Sequence, residues 1–169
     1  EVFVRNLLKI AMAVLALILF AAVPSIGAWM DNTRIRNVAD SLQNGLQMAR
    51  GEAVRRNEEV SFWLVGLDNP GILANTCTLS ASSASWAISV FSPASHCADA
   101  PSTVSSPKLV VARAAGADAG RVTVSALRAD GSTAATNVTF NGFGRVANAD
   151  AIARIDIDGS AADANHRGL

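Results

Sequence analysis

Tyrosine is absent from this sequence, and only nine residues carry an aromatic ring: six phenylalanines and three tryptophans. That leaves little capacity for stacking on bases or sugars. Net charge is missing too. Fourteen basic and fourteen acidic side chains cancel, so no overall field draws the chain to nucleic acid or to an anionic surface. There are two histidines, His96 and His166, in separate regions. No HExxH, GxSxG or phosphate-loop pattern occurs. With neither motif nor constellation, the sequence points away from an enzyme and implies no cofactor and no metal. The two cysteines, Cys77 and Cys97, form no CxxC, so a zinc or thioredoxin-type site has no support. Internal repeats are lacking as well.

What the sequence has in quantity is an apolar run. From Leu7 to Val23, LLKIAMAVLALILFAAV, Lys9 is the only charge in seventeen positions. At 1.5 Å per residue the run covers about 25 Å of helix, slightly short of the bilayer's hydrocarbon core. Arg5 and Lys9 can snorkel towards headgroups. A cleaved secretory signal is the competing reading. The run is longer than the usual signal core, and the helical pattern continues past Pro24 without a loop, which favours a retained membrane helix. A soluble core helix fits less well, because the run is apolar on every face. Basic residues flank both ends, so charge alone decides orientation weakly.

Pro24 removes a backbone donor and predicts a helix kink. Beyond it, Ile35, Val38, Ala39, Leu42, Leu46, Ala49 and Ala53 recur at spacings of three and four. This stripe needs a sheet to cover it. Gly45 reads as a mild weakness and Asn57 as the stop, with Arg55 and Arg56 facing the negative helix end. The other arginines of this stretch read as a solvated face. Strands are expected at Val60–Val65, Leu73–Leu79, Trp86–Phe91, Leu109–Ala114, Arg121–Leu127, Asn137–Phe140 and Ile152–Ile157. Turns are expected at Gly66–Gly71 and Ala129–Ser132. The segment from Ser160 reads as a frayed polar tail.

The result is an α+β chain in three parts: residues 1–24 a transmembrane and polymerisation helix, 25–57 an amphipathic helix on the sheet, and 58–169 a β domain. A disulfide between Cys77 and Cys97 is expected over two free thiols. It would contribute about 3 kcal/mol and requires an oxidising compartment. With the single anchor, that puts the β domain outside the cytoplasm. His96 beside Cys97 suggests a thiol–imidazole pair, but a loop histidine next to a disulfide is the simpler reading. Asp156-Ile-Asp158-Gly159 has the look of a calcium loop without its remaining ligands, and strand alternation explains it better. Asn137-Val138-Thr139 is a glycosylation triplet that matters only in a eukaryotic secretory route.

Three stretches carry a resemblance. Residues 21–57, with SLQNGLQMARGEAVRRN at their end, the following VSFWLV, and VTFNGFGRV at 138–146 are similar to minor pilins and pseudopilins of the GspH/FimT family. The resemblance implies a pilin fold, with a long N-terminal helix whose second half packs on a small antiparallel sheet. It implies cleavage by a prepilin peptidase, an inner-membrane assembly platform, and polymerisation with other pilins through the apolar helix. The location implied is the bacterial inner membrane, single-pass, with the β domain in the periplasm and later in a filament. Leu7 falls where the family has a glutamate, and no Gly-Phe processing site is present. Either the start is altered or incomplete, or this member assembles without the glutamate contact. The function implied is that of a minor pilin of a type IV pilus, acting in filament initiation or tip assembly. The alternatives are a minor pseudopilin of a type II secretion system and a DNA-binding pilin. Some FimT-like pilins bind DNA through Gly-Arg-X-Arg. Here Gly144-Arg145-Val146-Ala147 lacks the second arginine, leaving Arg145 and Arg154 as weak DNA contacts, with loop pairing preferred for Arg145.

Overall fold

Two apolar periods meet in this fold, one of about 3.6 residues along a helix and one of two along strands. The computed structural model describes residues 2–116 and 120–159, excepting the side chains at 2 and 19–28. Among the described residues it is α+β. Helix α1 is Val2–Arg56, followed by β1 Val60–Gly66, β2 Thr78–Leu79, β3 Trp86–Ser89, β4 Leu109–Arg113, β5 Val122–Leu127, β6 Asn137–Phe140 and β7 Arg154–Gly159. The chain divides into two compact units, Glu1–Thr33 and Arg34–Leu169. The interruption expected at Pro24 is not a break in secondary structure, since α1 runs through it; the tail from Ser160 lies outside the described residues.

Strand β1 is the axis of the second unit. It pairs antiparallel with β3 along one edge, and β4 extends the sheet beyond β3. On its other edge β6 and β2 follow one another. The Leu64 amide donates to the Thr136 carbonyl, while the Leu64 carbonyl accepts from the Ser80 amide. Alternation along β1 then sorts its side chains. Val60, Phe62 and Leu64 join the core that receives the helix, with Trp86, Ile88, Val138 and Phe140 from neighbouring strands. Trp63 and Val65 face the opposite way, towards Cys77, Cys97 and Leu109. Ser61 is buried, and its hydroxyl bonds Thr139, its cross-strand partner, at 2.8 Å.

The helix stripe meets the first of these faces as expected. Val38, Leu42, Ala49 and Ala53 are buried in the same cluster, and Leu46 packs against it. Gly45 is where the sequence reading needs correction. A Cβ built there would stand 2.7 Å from Phe62 Cε2 and 3.0 Å from the Trp86 indole. The missing side chain lets the helix backbone settle on the Phe62–Trp86 pair, whose ring centroids are 5.8 Å apart. Trp86 Nε1 completes the contact by donating to Ser41 Oγ at 3.1 Å. Gly45 therefore trades helix propensity for close packing.

Asn57 does stop the helix, with φ +50 in the left-handed region. Its amide donates to Val54 and the Glu58 amide to Ala53, the paired bonds of a Schellman motif. Arg55 and Arg56 both bond Glu52, at 2.6 and 2.8 Å. The Arg55 hydrogen bond first, then Arg56, lowers the Glu52 pKa against an opposing desolvation effect.

Strands β5 and β7 form a separate antiparallel pair whose inward residues Val122, Val124 and Ala126 close the same core. Asp156 and Asp158 lie on β7 opposite Ser125 and Thr123, as strand alternation requires. The turn after Arg128 forms around Gly131, with Asp130 accepting from Ser132 and Thr133. Several strand limits shift. The expected Leu73–Leu79 strand shrinks to Thr78–Leu79, because Leu73 packs under the outer face from a loop while the Cys77 amide turns back to Ala74. The expected Trp86–Phe91 strand ends at Ser89, where the ladder slips register and the Phe91 amide bonds Pro107. The last strand starts at Arg154 rather than Ile152, since the Ile152 amide bonds Asn137 instead.

Candidate functional site

Residues of the first unit supply a long apolar surface. From Phe3 to Ile18 every large apolar side chain is exposed. Nothing in the sequence of this stretch could build a core of its own, because a helix apolar all round has no polar face to turn outwards. Such a surface needs a lipid or protein environment. Among the described residues no helix is long and apolar enough to cross a membrane. The expected run continues to Val23, through side chains outside the described set.

The second candidate is the loop Asn141–Arg145, which lies over the end of α1. Asn141 organises it: its Oδ1 accepts from the Phe143 and Arg145 amides, and its own amide donates to the Arg145 carbonyl. A Cβ on Gly142 would meet Asn57 backbone at 3.1 Å, and one on Gly144 would meet Arg50 and Val54 at 3.1 Å. Gly144 also has φ +70. Two glycines thus seat the loop on the helix cap while Phe143 projects outwards, 84% exposed.

Comparison with protein families identifies the chain. The family model described as type II transport protein GspH matches residues 38–168. This chain belongs to the GspH family. A search of curated proteins and one of solved structures each returned no significant match. The match takes in the covered half of α1 and the whole described β domain, the parts whose packing is given above. A GspH-family chain is a pilin-like structural protein that associates with other subunits of its machinery, and the fold described here is compatible with that.

The two arginines singled out in the sequence are not brought together as a site. Arg145 is exposed, and its backbone bonds Asn141. The loop pairing expected for its side chain is not observed: the guanidinium makes no hydrogen bond or ion pair among the described residues. Arg154 lies on β7 and donates to Asp156 Oδ1 at 2.7 Å. That bond raises the Arg154 pKa and balances its charge locally. Arg50 is exposed, as a solvated face requires, and its side chain also lies against Gly144 beside the Arg145 loop. No spacing rule could have paired residues so far apart in sequence.

Cys77 and Cys97 form a disulfide. Both sulfurs are buried beneath the outer face of the sheet with Val65 and Leu109. His96 takes no part in thiol chemistry. Its Nδ1 lies 2.7 Å from Asp99 Oδ2, while Asn75 donates to the other Asp99 oxygen at 2.7 Å. Asn75 Oδ1 in turn accepts from the Ala98 amide. His96, then Asn75, holds the Asp99 pKa below its ordinary value. The clip repeats, in hydrogen bonds, the cross-link that the disulfide makes covalently. Thr139 of the Asn137 triplet is similarly committed, through Ser61, to the sheet.

Proposed function

We propose that this chain is a minor filament subunit of the pilin type, structural rather than catalytic, anchored in the inner membrane before assembly. The observation that carries the proposal is the exposed apolar ladder from Phe3 to Ile18, set beside a helix segment whose own stripe is already covered. In this reading residues 1–24 serve the membrane and the filament core, 25–57 carry the sheet, and 58–169 face the periplasm. Partners are other pilins or pseudopilins, the assembly platform and the prepilin peptidase. The leading machine is a type IV pilus, where the chain acts in initiation or at the tip. The resemblance of residues 41–57 supports this.

The description of the matched family favours a second machine, the type II secretion pseudopilus. Fractionation separates the two. Sheared surface filaments from the native host contain the chain if it is a pilus subunit, and lose it when the assembly ATPase is deleted. Retention in the envelope, with loss of exoprotein secretion on deletion, assigns it to the pseudopilus. A soluble chain with neither phenotype ends both readings. DNA is a weak third partner: of Arg145 and Arg154, only Arg145 lacks a side-chain partner among the described residues, and so few phosphate contacts give affinity that moderate salt removes.

A further inference from the structure

Trp29 is the tryptophan of the first unit, and no described core claims it. It sits within α1, 69% exposed, next to the exposed Met30. The other two tryptophans belong to the β domain: Trp86 is fully buried, and Trp63 packs in the outer-face cluster. An exposed indole gains nothing in water, but it suits the boundary between hydrocarbon and headgroups, where its ring is buried and its N–H stays wet.

Position along the helix decides the matter. Lys9 and Trp29 are twenty residues apart on one continuous helix, which at 1.5 Å per residue is about 30 Å. That equals the thickness of a typical hydrocarbon core, whereas the apolar run ending at Val23 falls several ångströms short. Lys9 and Arg5 stand at one end of the interval, and Asp31 marks the return of charge just beyond the other. Between Lys9 and Trp29 the sequence holds no charged residue.

We propose that Trp29 is the interfacial anchor of this chain, lying at the headgroup boundary and setting, with Lys9, the depth at which α1 sits in a phospholipid bilayer. The site takes a lipid interface rather than a protein pocket. Its polar requirement is one acceptor for the indole N–H, which phosphate, glycerol and ester oxygens all supply. The inference rests on the membrane-anchored reading above and adds its register.

The full chain is reconstituted in phosphatidylcholine–phosphatidylglycerol vesicles whose acyl chains carry bromine near the headgroup or near the bilayer centre. Flotation reports anchoring, and the difference in emission between the wild type and Trp29→Phe reports indole depth. The expected result is flotation, with loss of the Trp29-dependent emission greater for the shallow bromines than for the deep ones. Emission from Trp63 and Trp86 should be untouched by either. Flotation with stronger deep quenching, or with no quenching, overturns the register and leaves the anchor standing. Failure to float overturns the anchored reading, and the inference falls with it.

Discussion

The two parts of α1 share a backbone conformation and differ in who covers them. In Arg34–Arg56 the apolar residues keep to one stripe, and the chain's own sheet buries it. From Phe3 to Ile18 they fall on every face and stay exposed. Helix formation is therefore not what separates these regions, and propensity explains neither. The number of apolar faces decides whether the partner comes from within the chain or from outside it. A one-faced helix can finish its burial by folding. An all-round one finishes only in lipid or among other helices.

This contrast can be broken by paired substitutions. Leu42→Ala, at a residue 2% exposed, should destabilise the β domain by about 2–5 kcal/mol. Leu15→Ala, at a residue 58% exposed, should leave the domain's unfolding midpoint in detergent unchanged. Equal effects of the two on denaturant unfolding would erase the distinction. Removing the cross-link in Cys77→Ser with Cys97→Ser should cost about 3 kcal/mol by chain entropy. Because it acts on the face away from the helix, vesicle flotation should survive it.

Gly45 sharpens the comparison within the covered part alone. Gly45→Ala gains up to about 1 kcal/mol of helix propensity but drives a methyl into two buried rings, at about 1–3 kcal/mol. A net loss of stability is expected. Gly51→Ala meets no atom within 4 Å and should raise stability by about 0.5–1 kcal/mol. Thermal melts of both variants check this, and stabilisation by both would mean the helix does not sit on the Phe62–Trp86 pair.

The smallest expected effect is the response to acid. Glu52, Asp99 and Asp130 all have lowered pKa values in the folded chain, with Asp130 at about 2 through its bonds to Thr133 and Ser132. Their contribution is complete above the ordinary carboxylate range and fades as pH falls towards about 2. The melting temperature of the domain should therefore drop along this limb. Residues 2–30 contain no carboxylate, so flotation should not follow the same curve.

Reading the sequence recovered what periodicity encodes. The stripe through Val38, Leu42, Ala49 and Ala53 was visible because helical spacing and burial coincide there. Strand β1 was visible as a short, nearly continuous run of β-branched and aromatic residues, because both its faces are covered. Gly45 was misread because its meaning lies in Phe62 and Trp86, which only the folded sheet brings beneath it. The Leu73–Leu79 segment looked like a strand because apolar residues under a loop carry the same signal as those in a ladder. At the candidate loop, Gly142, Gly144 and Arg145 stood out as a motif. Their seat on Arg50, Val54 and Asn57 had no sequence signature, since loop-to-cap contacts follow no fixed spacing.

The disulfide, finally, separates the two faces of the sheet by what each needs for completion. The helix-facing core is built of apolar side chains and needs no redox chemistry. The cover over the opposite face is sealed by Cys77 and Cys97, which join only where oxidants operate. One side of the sheet is thus finished by composition and the other by location. Until the two thiols meet an oxidant, that face is held by packing and hydrogen bonds alone.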